Sequence, residues 1–433
     1  MMQRLAGPAL ILALAPLASA QLLPKEVKLR FDGQAAGDNL GFSVAGIGDA
    51  DADGVPDLVL GAPHADPIGQ PGAGMTYLRS GRTGRLLLEI DCSQDGVSSG
   101  WLVGASGWSV DDAGDIDGDG KPDIVIGAYN TYIPAVGYAG AAVVHSSKSG
   151  RLLGKWGGGV AWSVFGATVA GAGDVDADGV PDVVVGAPWS DVGGVFAAGV
   201  ACVYSGATGA LLFQVDGQQP LGLMGDAVAG AGDLDGDGHD DVLISEFYGA
   251  SNGRVYAYSG ATHAAIVQLD GAAFGCDSFG DAVASAGDLD ADGSPEIIVG
   301  APSTSGFAGR VIVYSVALGQ VLLTFDGFTG ELLGEAVDGA GDVDGDGTAD
   351  LIIGSPRTSP NGKDEAGRVR VHSGKTGALL FSVIGKREFD HLGQSVSGLG
   401  DIDGDGRAEV LIGVPDSDLA GQNSGSVLVV GPH

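Results

Sequence analysis

Asp49, Asp51, Asp53 and Asp57 place four carboxylates on nine consecutive residues, with Gly54 directly after the third. The phrase Asp-x-Asp-x-Asp-Gly-x-x-Asp/Glu returns from Asp115, Asp174, Asp233, Asp288, Asp342 and Asp401. Each copy runs straight into a short apolar segment such as Leu58-Val59-Leu60. Alternate carboxylates on a short loop, with a glycine at the sixth position to allow a sharp turn, describe a shell of oxygens around one hard cation. Oxygen-only ligation favours calcium over zinc or copper. The loop is not an EF-hand, because position twelve of the first copy is the apolar Leu60 and no helical periodicity flanks it.

The chain has 55 acids against 21 Lys and Arg, a formal net charge of -34. Four carboxylates in each of seven loops account for 28 of the 55 acids and leave 27 against 21 basic residues. The charge is therefore concentrated in the loops, and it excludes nucleic acid and anionic membrane surfaces as default partners. Crowded carboxylates repel one another, and a divalent cation reverses that balance. Calcium, up to seven ions, is accordingly expected in a mainly structural role.

The elements that must carry the loops follow from aligning the seven copies. Eight residues before the first Asp stands Gly in every copy (Gly41, Gly107, Gly166, Gly225, Gly280, Gly334, Gly393), and five before it stands Val. This short Gly-x-x-Val segment, β-branched at its centre, reads as a first strand. The apolar run after the loop reads as a strand buried on both faces and usually ends in Gly-Ala-Pro. A third strand (Val200 to Tyr204 in the third copy) and, after a tight turn, a fourth (Leu211 to Val215) complete the unit. Four antiparallel strands repeated seven times without a helix predict an all-β, seven-bladed propeller. The seventh copy lacks a fourth strand, and Val27 to Gly33 matches the missing pattern. The N-terminal strand is therefore expected to pair into the last blade and close the ring, removing two exposed edges.

Leu40-Gly41-Phe42-Ser43-Val44-Ala45-Gly46, the Phe-Gly pairs at Phe165-Gly166 and Phe279-Gly280, the acidic loops and Gly-Ala-Pro together resemble the FG-GAP repeats of the integrin α-subunit β-propeller. The resemblance runs from about Val27 to Val430. It implies calcium in the loop between the first and second strands of each blade. By residue it assigns side-chain ligation to Asp49, Asp51, Asp53 and Asp57, with the backbone carbonyl of Val55. The same offsets give Asp115, Asp117, Asp119, Lys121 and Asp123; Asp174, Asp176, Asp178, Val180 and Asp182; and Asp233, Asp235, Asp237, His239 and Asp241. They continue with Asp288, Asp290, Asp292, Ser294 and Glu296; Asp342, Asp344, Asp346, Thr348 and Asp350; and Asp401, Asp403, Asp405, Arg407 and Glu409. The sequence departs from the family pattern in keeping all seven loops complete and in having Ser245-Glu246-Phe247 where Gly-Ala-Pro is expected. It also lacks the family's leg domains, transmembrane helix and cytoplasmic tail, so a monomeric adhesive propeller is expected rather than one half of a heterodimer.

All five tryptophans fall between residues 101 and 189. Strand direction puts the acidic loops on one face of the ring and the loops bearing Trp101, Tyr129, Tyr132, Tyr138, Trp162, Trp189 and Phe196 on the other. Those seven are the candidate ligand-binding residues, for a protein or glycan, because exposed aromatic clusters commonly anchor interfaces. Trp108 and Trp156 read instead as packing residues. The implied function is a secreted calcium-binding adhesion module. The alternative is a polysaccharide-active lyase or hydrolase with its site on the propeller axis. No catalytic constellation supports that alternative: Gly96-Val97-Ser98-Ser99-Gly100 has no strand-to-helix elbow around it, and the seven His show no metal-type spacing.

Cys92, Cys202 and Cys276 form no disulfide framework and read as small buried hydrophobes. Residues 1–20, with Arg4, an apolar stretch from Leu5 to Leu17 and Ala18-Ser19-Ala20, read as a secretory signal. A single propeller domain is expected over residues 21–433, exported and without a transmembrane segment.

Overall fold

A Gly-bounded, β-branched segment, a buried apolar run and two further alternating strands leave each repeat one solution, a small twisted antiparallel sheet. The computed structural model describes residue 23 and residues 25–67, 71–96, 103–248 and 252–432, and contains seven such four-stranded sheets. The expected signal segment lies outside the described residues. The first blade comprises Ser43–Ile47, Asp57–Ala62, Met75–Arg79 and Leu86–Ile90 in that spatial order. The second uses Ser109–Gly114, Asp123–Ala128, Ala141–His145 and Leu152–Gly157, and the same order holds through the sixth. Every second strand is buried along its whole length. The chain is a seven-bladed β-propeller.

Closure follows the sequence expectation. Lys25–Asp32 pairs antiparallel with Ser426–Pro432, so the last blade is built from both ends of the chain. The register slips between Val27 and Leu29. Lys28, the residue in that bulge, reaches Asp403 of the seventh acidic loop at 2.6 Å. Phe31 is buried with Leu40, Leu58, Leu60, Tyr77, Leu411 and Val427, and the Arg79 guanidinium lies 4.9 Å from its ring. The clasp thus joins the last blade to the first.

The core is a set of seven seams, one between each pair of neighbouring blades, rather than one central cluster. The invariant glycine eight residues before each loop explains itself here. Gly41 has φ +86°, and a Cβ on it would lie 2.5 Å from the Ser426 carbonyl of the neighbouring blade.

Inner strands from all seven blades surround an axial cavity of about 260 Å³ lined by Val44, Asp111, Val169, Val228, Ser285, Asp338, Val396 and Ser397. Asp111 Oδ2 accepts from the Gly171 N–H at 3.1 Å, and Asp338 Oδ2 from Gly398 at 3.2 Å. Burial pushes the Asp111 carboxyl up to about 7, and the Asp112 and Asp338 charges add to the shift. Burial likewise pushes Asp338 up to about 6.

Two outcomes are expected. Deleting Lys25–Asp32 uncovers the Ser426–Pro432 edge and should lower the melting temperature and promote oligomers in size-exclusion chromatography. An unchanged melt would contradict closure as a source of stability. For Asp111 the sign is set by a folded-state pKa above the ordinary value of about 3.9. The folded state then holds the proton more tightly, and the group's contribution to stability is lost as pH rises through about 7. Asp111→Asn should therefore raise the melting temperature by a few degrees at pH 8 and by much less at pH 5, read by calorimetry at fixed calcium.

Candidate metal centres and the opposite face

Each acidic loop is wound around its own carboxylates. In the first blade Asp49 accepts the N–H groups of Asp53 (3.0 Å) and Gly54 (2.8 Å), and Asp53 accepts that of Val55 (3.0 Å). Gly54 supplies the turn at φ +85°. The same bonds recur in the other copies, as at Asp119 and Gly120 onto Asp115, and Asp346 and Gly347 onto Asp342. Carboxylate oxygens converge within 4.8 Å in Asp49–Asp51–Asp53, Asp115–Asp117–Asp123, Asp174–Asp176–Asp182 and Asp233–Asp235–Asp241, each set able to hold a metal ion. Asp51 Oδ1 is buried without a hydrogen-bond partner among the described residues, as are Glu296 Oε1 and Glu409 Oε1. Orphaned carboxylate oxygens inside an oxygen-only loop fit a hard divalent cation.

The ninth position has a second occupation that its spacing did not disclose. Asp57 is fully buried; its Oδ2 accepts from Ala50 (2.9 Å) and Asp51 (3.1 Å), and its Oδ1 from Gly81 (3.0 Å) in the turn between the third and fourth strands. A carboxylate has about four lone-pair positions, so roughly one remains for a cation. Asp123, Asp182, Asp241 and Asp350 repeat the arrangement. Burial pushes Asp57, Asp123, Asp182 and Asp241 up to about 6 and Asp350 up to about 7. In the two Glu copies one backbone N–H is engaged, from Leu289 on Glu296 (2.6 Å) and from Ile402 on Glu409 (2.9 Å). Basic side chains also reach the loops: Arg82 to Asp53 at 3.2 Å, Lys148 to Asp119 at 3.4 Å and Lys375 to Asp346 at 3.4 Å.

On the opposite face the structure brings together three of the seven aromatic candidates. Tyr132–Ile133 and Gly137–Tyr138 form a small hairpin of their own. Tyr132 and Tyr138 meet edge-on at 5.3 Å, and Trp162 stacks on Tyr138 at 5.4 Å. Trp162 is 68% exposed, on a left-handed backbone (φ +65°) whose N–H donates to the Tyr138 carbonyl at 2.5 Å. Trp189 is tied to this group through its N–H to Ser163 O (3.3 Å), whereas the Phe196 carbonyl accepts from Leu221 (3.0 Å), outside the group. Both side chains are exposed. Tyr129 stands apart, half-buried against Trp108 at 4.5 Å, with Phe42 on the far side of Trp108 at 4.2 Å. Trp101 lies outside the described residues. Trp156 stacks on Tyr204 at 5.0 Å and donates to the Gly209 carbonyl, a packing role.

Part of this face was missed. Tyr248, Phe307 and Phe389 are also exposed here. Phe247, Tyr248 and Phe307 line a depression of about 270 Å³ with Asp281, Glu335 and Arg357. Glu335 pairs with Arg357 at 3.3 Å. Burial raises Asp281 to about 7, with the Glu335 and Asp226 charges adding to the effect. The signal was present in the alignment: the residue after the invariant glycine is Phe42 and Trp108 in the first two blades, but Asp226, Asp281 and Glu335 in the fourth to sixth. Glu246, at the broken Gly-Ala-Pro, is buried and held by Arg254 (3.3 Å) and the Tyr256 hydroxyl (3.4 Å).

The FG-GAP repeat family matches residues 106–145, 165–202, 333–372 and 392–430, and the FG-GAP-like repeat family matches residues 233–299. Among curated proteins, integrin alpha-7 of Homo sapiens is 31% identical over 218 residues, 47% of this chain and 17% of that protein. Integrin alpha-V of Gallus gallus is 30% identical over 223 residues, 48% of this chain and 20% of its own length. A phosphatidylinositol-glycan-specific phospholipase D of Bos taurus is 32% identical over 168 residues, 37% of this chain and 20% of the enzyme. The aligned region thus spans a fifth or less of each of these relatives. Repeat matches on six of seven blades, the acidic loops and the closed ring make this chain an FG-GAP repeat protein with an integrin-α-like β-propeller.

Proposed function

We propose that the protein is an extracellular binding module, a calcium-stabilised propeller that engages a protein or glycan ligand through the face opposite its acidic loops. The observation that carries this reading is the exposed Tyr132–Tyr138–Trp162 ladder on a hairpin braced by the ring. Rigid aromatic side chains offer large contact area at low entropy cost and supply stacking faces for sugars or anchors for a protein surface. Calcium in the loops would supply the positive charge that four crowded carboxylates lack. The carboxylate oxygens that converge in the loops support this reading. Similarity to integrin α-subunits supports the binding role, and the export signal read at residues 1–20 supports an extracellular location. Among the described residues no helix is long and apolar enough to cross a membrane.

A catalytic reading has one specific observation in its favour, the Asp111 and Asp338 carboxyls in the axial cavity, and one relative that is an enzyme. The two readings part on turnover: chain-length analysis of glycans incubated with pure protein should show no cleavage, and sustained cleavage abolished by Asp111→Asn would favour the enzyme.

At ~1 mM calcium and a dissociation constant of ~0.1 mM, each loop adds about 1.4 kcal/mol, and seven add about 10 kcal/mol. EGTA should accordingly lower the melting temperature by about 10 °C, reversibly on adding calcium back. A melt insensitive to chelation would remove the structural role of the cation. For the ligand face, Trp162→Ala and Tyr138→Ala should each weaken binding about tenfold or more to whichever member of an immobilised panel of glycans and extracellular proteins the wild type retains. Neither change should shift the melting temperature appreciably, and undiminished binding by both variants would place the ligand elsewhere.

A further inference from the structure

In the seam between the first and second blades three unlike donor atoms converge. Cys92 and Asp95 lie in the short turn Cys92–Gly96 that follows the outer strand of the first blade; His145 ends the third strand of the second. His145 Nε2 is 2.9 Å from Asp95 Oδ2 and 4.0 Å from Cys92 Sγ. All three donor atoms lie within 4.8 Å of one another. The Lys155 ammonium holds the turn in place by donating to the Asp95 carbonyl at 2.8 Å. We propose that Cys92, Asp95 and His145 form a binding site for a zinc-type transition-metal ion, chemically distinct from the seven acidic loops.

The imidazole is oriented for ligation. Its Nδ1–H donates to the Gly150 carbonyl at 3.1 Å, which leaves Nε2 to face the thiol and the carboxylate. A metal-ligating histidine usually fixes its other nitrogen in this way. The sixth blade supplies an internal control. His372 occupies the same repeat position, and its Nδ1 is anchored on the Gly377 carbonyl, also at 3.1 Å. Its ring packs 4.4 Å from Phe325, and Nε2 has no partner among the described residues. The repeat therefore provides the anchor, and the first-to-second seam alone surrounds the free nitrogen with sulfur and oxygen.

Cys92 is itself an exception. In the other six copies the residue at its position is glycine (Gly33, Gly158, Gly217, Gly271, Gly327, Gly385). A Cβ there would meet a backbone carbonyl at 1.8 Å from Gly33 and at 1.9 Å from Gly217 or Gly327. The chain departs from its own repeat to place a side chain at this point. Ser106 is fully buried beside the Cys92 thiol, and its hydroxyl interacts with the sulfur. It would complete a tetrahedral shell or support the thiolate.

Distances decide between chemistries. Zn–S of ~2.3 Å and Zn–N of ~2.0 Å at tetrahedral angles put S···N at about 3.6 Å and N···O at about 3.3 Å, each within about half an ångström of the 4.0 Å and 2.9 Å separations of His145 Nε2 from Cys92 Sγ and Asp95 Oδ2. Sulfur and imidazole nitrogen disfavour calcium and suit zinc. A nucleophilic cysteine triad does not fit, because carboxylate and thiol share Nε2 instead of flanking the ring, and the thiol is fully buried. Binding would displace the thiol proton and any proton between Nε2 and Asp95, releasing them to solvent.

The test uses the full chain in millimolar calcium, so that the acidic loops are saturated, and titrates cobalt(II) and then zinc(II). One cobalt equivalent should produce a thiolate-to-metal charge-transfer band in the near ultraviolet, and one zinc equivalent should abolish it. Cys92→Ser should lose the band, and His145→Gln should weaken zinc binding by more than the roughly 10–100-fold that losing a ligand's supporting partner costs. Cys202→Ser and Cys276→Ser should leave both unchanged. Should Cys92→Ser fail to fold, the wild-type spectrum and His145→Gln still decide the matter. Absence of a thiolate band in folded wild type, or its persistence in folded Cys92→Ser, overturns the site and leaves Asp95–His145 as an ion pair.

Discussion

A carboxylate buried at the start of a sheet's central strand has to find hydrogen-bond donors, because an uncompensated charge in that position would cost more than the sheet gains. In five blades Asp57, Asp123, Asp182, Asp241 and Asp350 meet this demand in one way. One oxygen gathers N–H groups from the beginning of the acidic loop, and the other takes an N–H from the turn between the third and fourth strands. A single side chain thereby ties together two loops that the sequence separates by some two dozen residues. The loop carboxylates are presented on the frame this creates, converging at positions one, three and five in the first blade and at one, three and nine in the second to fourth. Loop geometry and blade geometry are one constraint, which is why the acidic motif and the strand pattern never occur apart in the chain.

The division between the two faces follows from it. Satisfying the buried carboxylate commits the underside to a repeated, nearly invariant construction in which Arg82, Lys148 and Lys375 can do little but partner loop acids. The other face carries the connections after the second and fourth strands, which no such constraint holds. There the insertions accumulate: the Tyr132–Tyr138 hairpin, the left-handed turn at Thr304–Phe307 and the left-handed Trp162. A rigid ring with one side repeated from blade to blade and one free side is suited to displaying a binding surface, because loops held on packed strands keep their side chains in place.

The sequence made the repeated parts legible and the singular parts obscure. Seven copies of Gly-x-x-Val, the acidic loop and the apolar run disclosed the blades. Val27 to Gly33, read as a missing fourth strand, disclosed the closure that the Lys25–Asp32 pairing displays. The structural duty of Asp57 stayed hidden because a carboxylate at position nine has the same appearance whether it faces a metal or a turn N–H. Tyr129 and Tyr132 looked equivalent in one loop, yet the first packs on Trp108 and only the second joins the exposed ladder. Cys92 and His145 are 53 residues apart and belong to different blades, so no local spacing rule relates them.

Repetition within one chain also separates two kinds of constraint that a single domain confounds. Where all seven copies agree, the reason is found in the fold: Gly41 and its equivalents lie against the neighbouring blade with no room for a Cβ. Where the copies disagree while the backbone does not, the fold has no preference, and the residue answers to something else. The position after that glycine is such a case, aromatic at Phe42 and Trp108 and acidic at Asp226, Asp281 and Glu335. Since consecutive blades are neighbours around the ring, that division sorts the rim into an apolar arc beside Tyr129 and an acidic arc beside Arg357. A partner spanning the axis would meet two chemistries at once, and its orientation on the ring would be set by which of its sides is apolar.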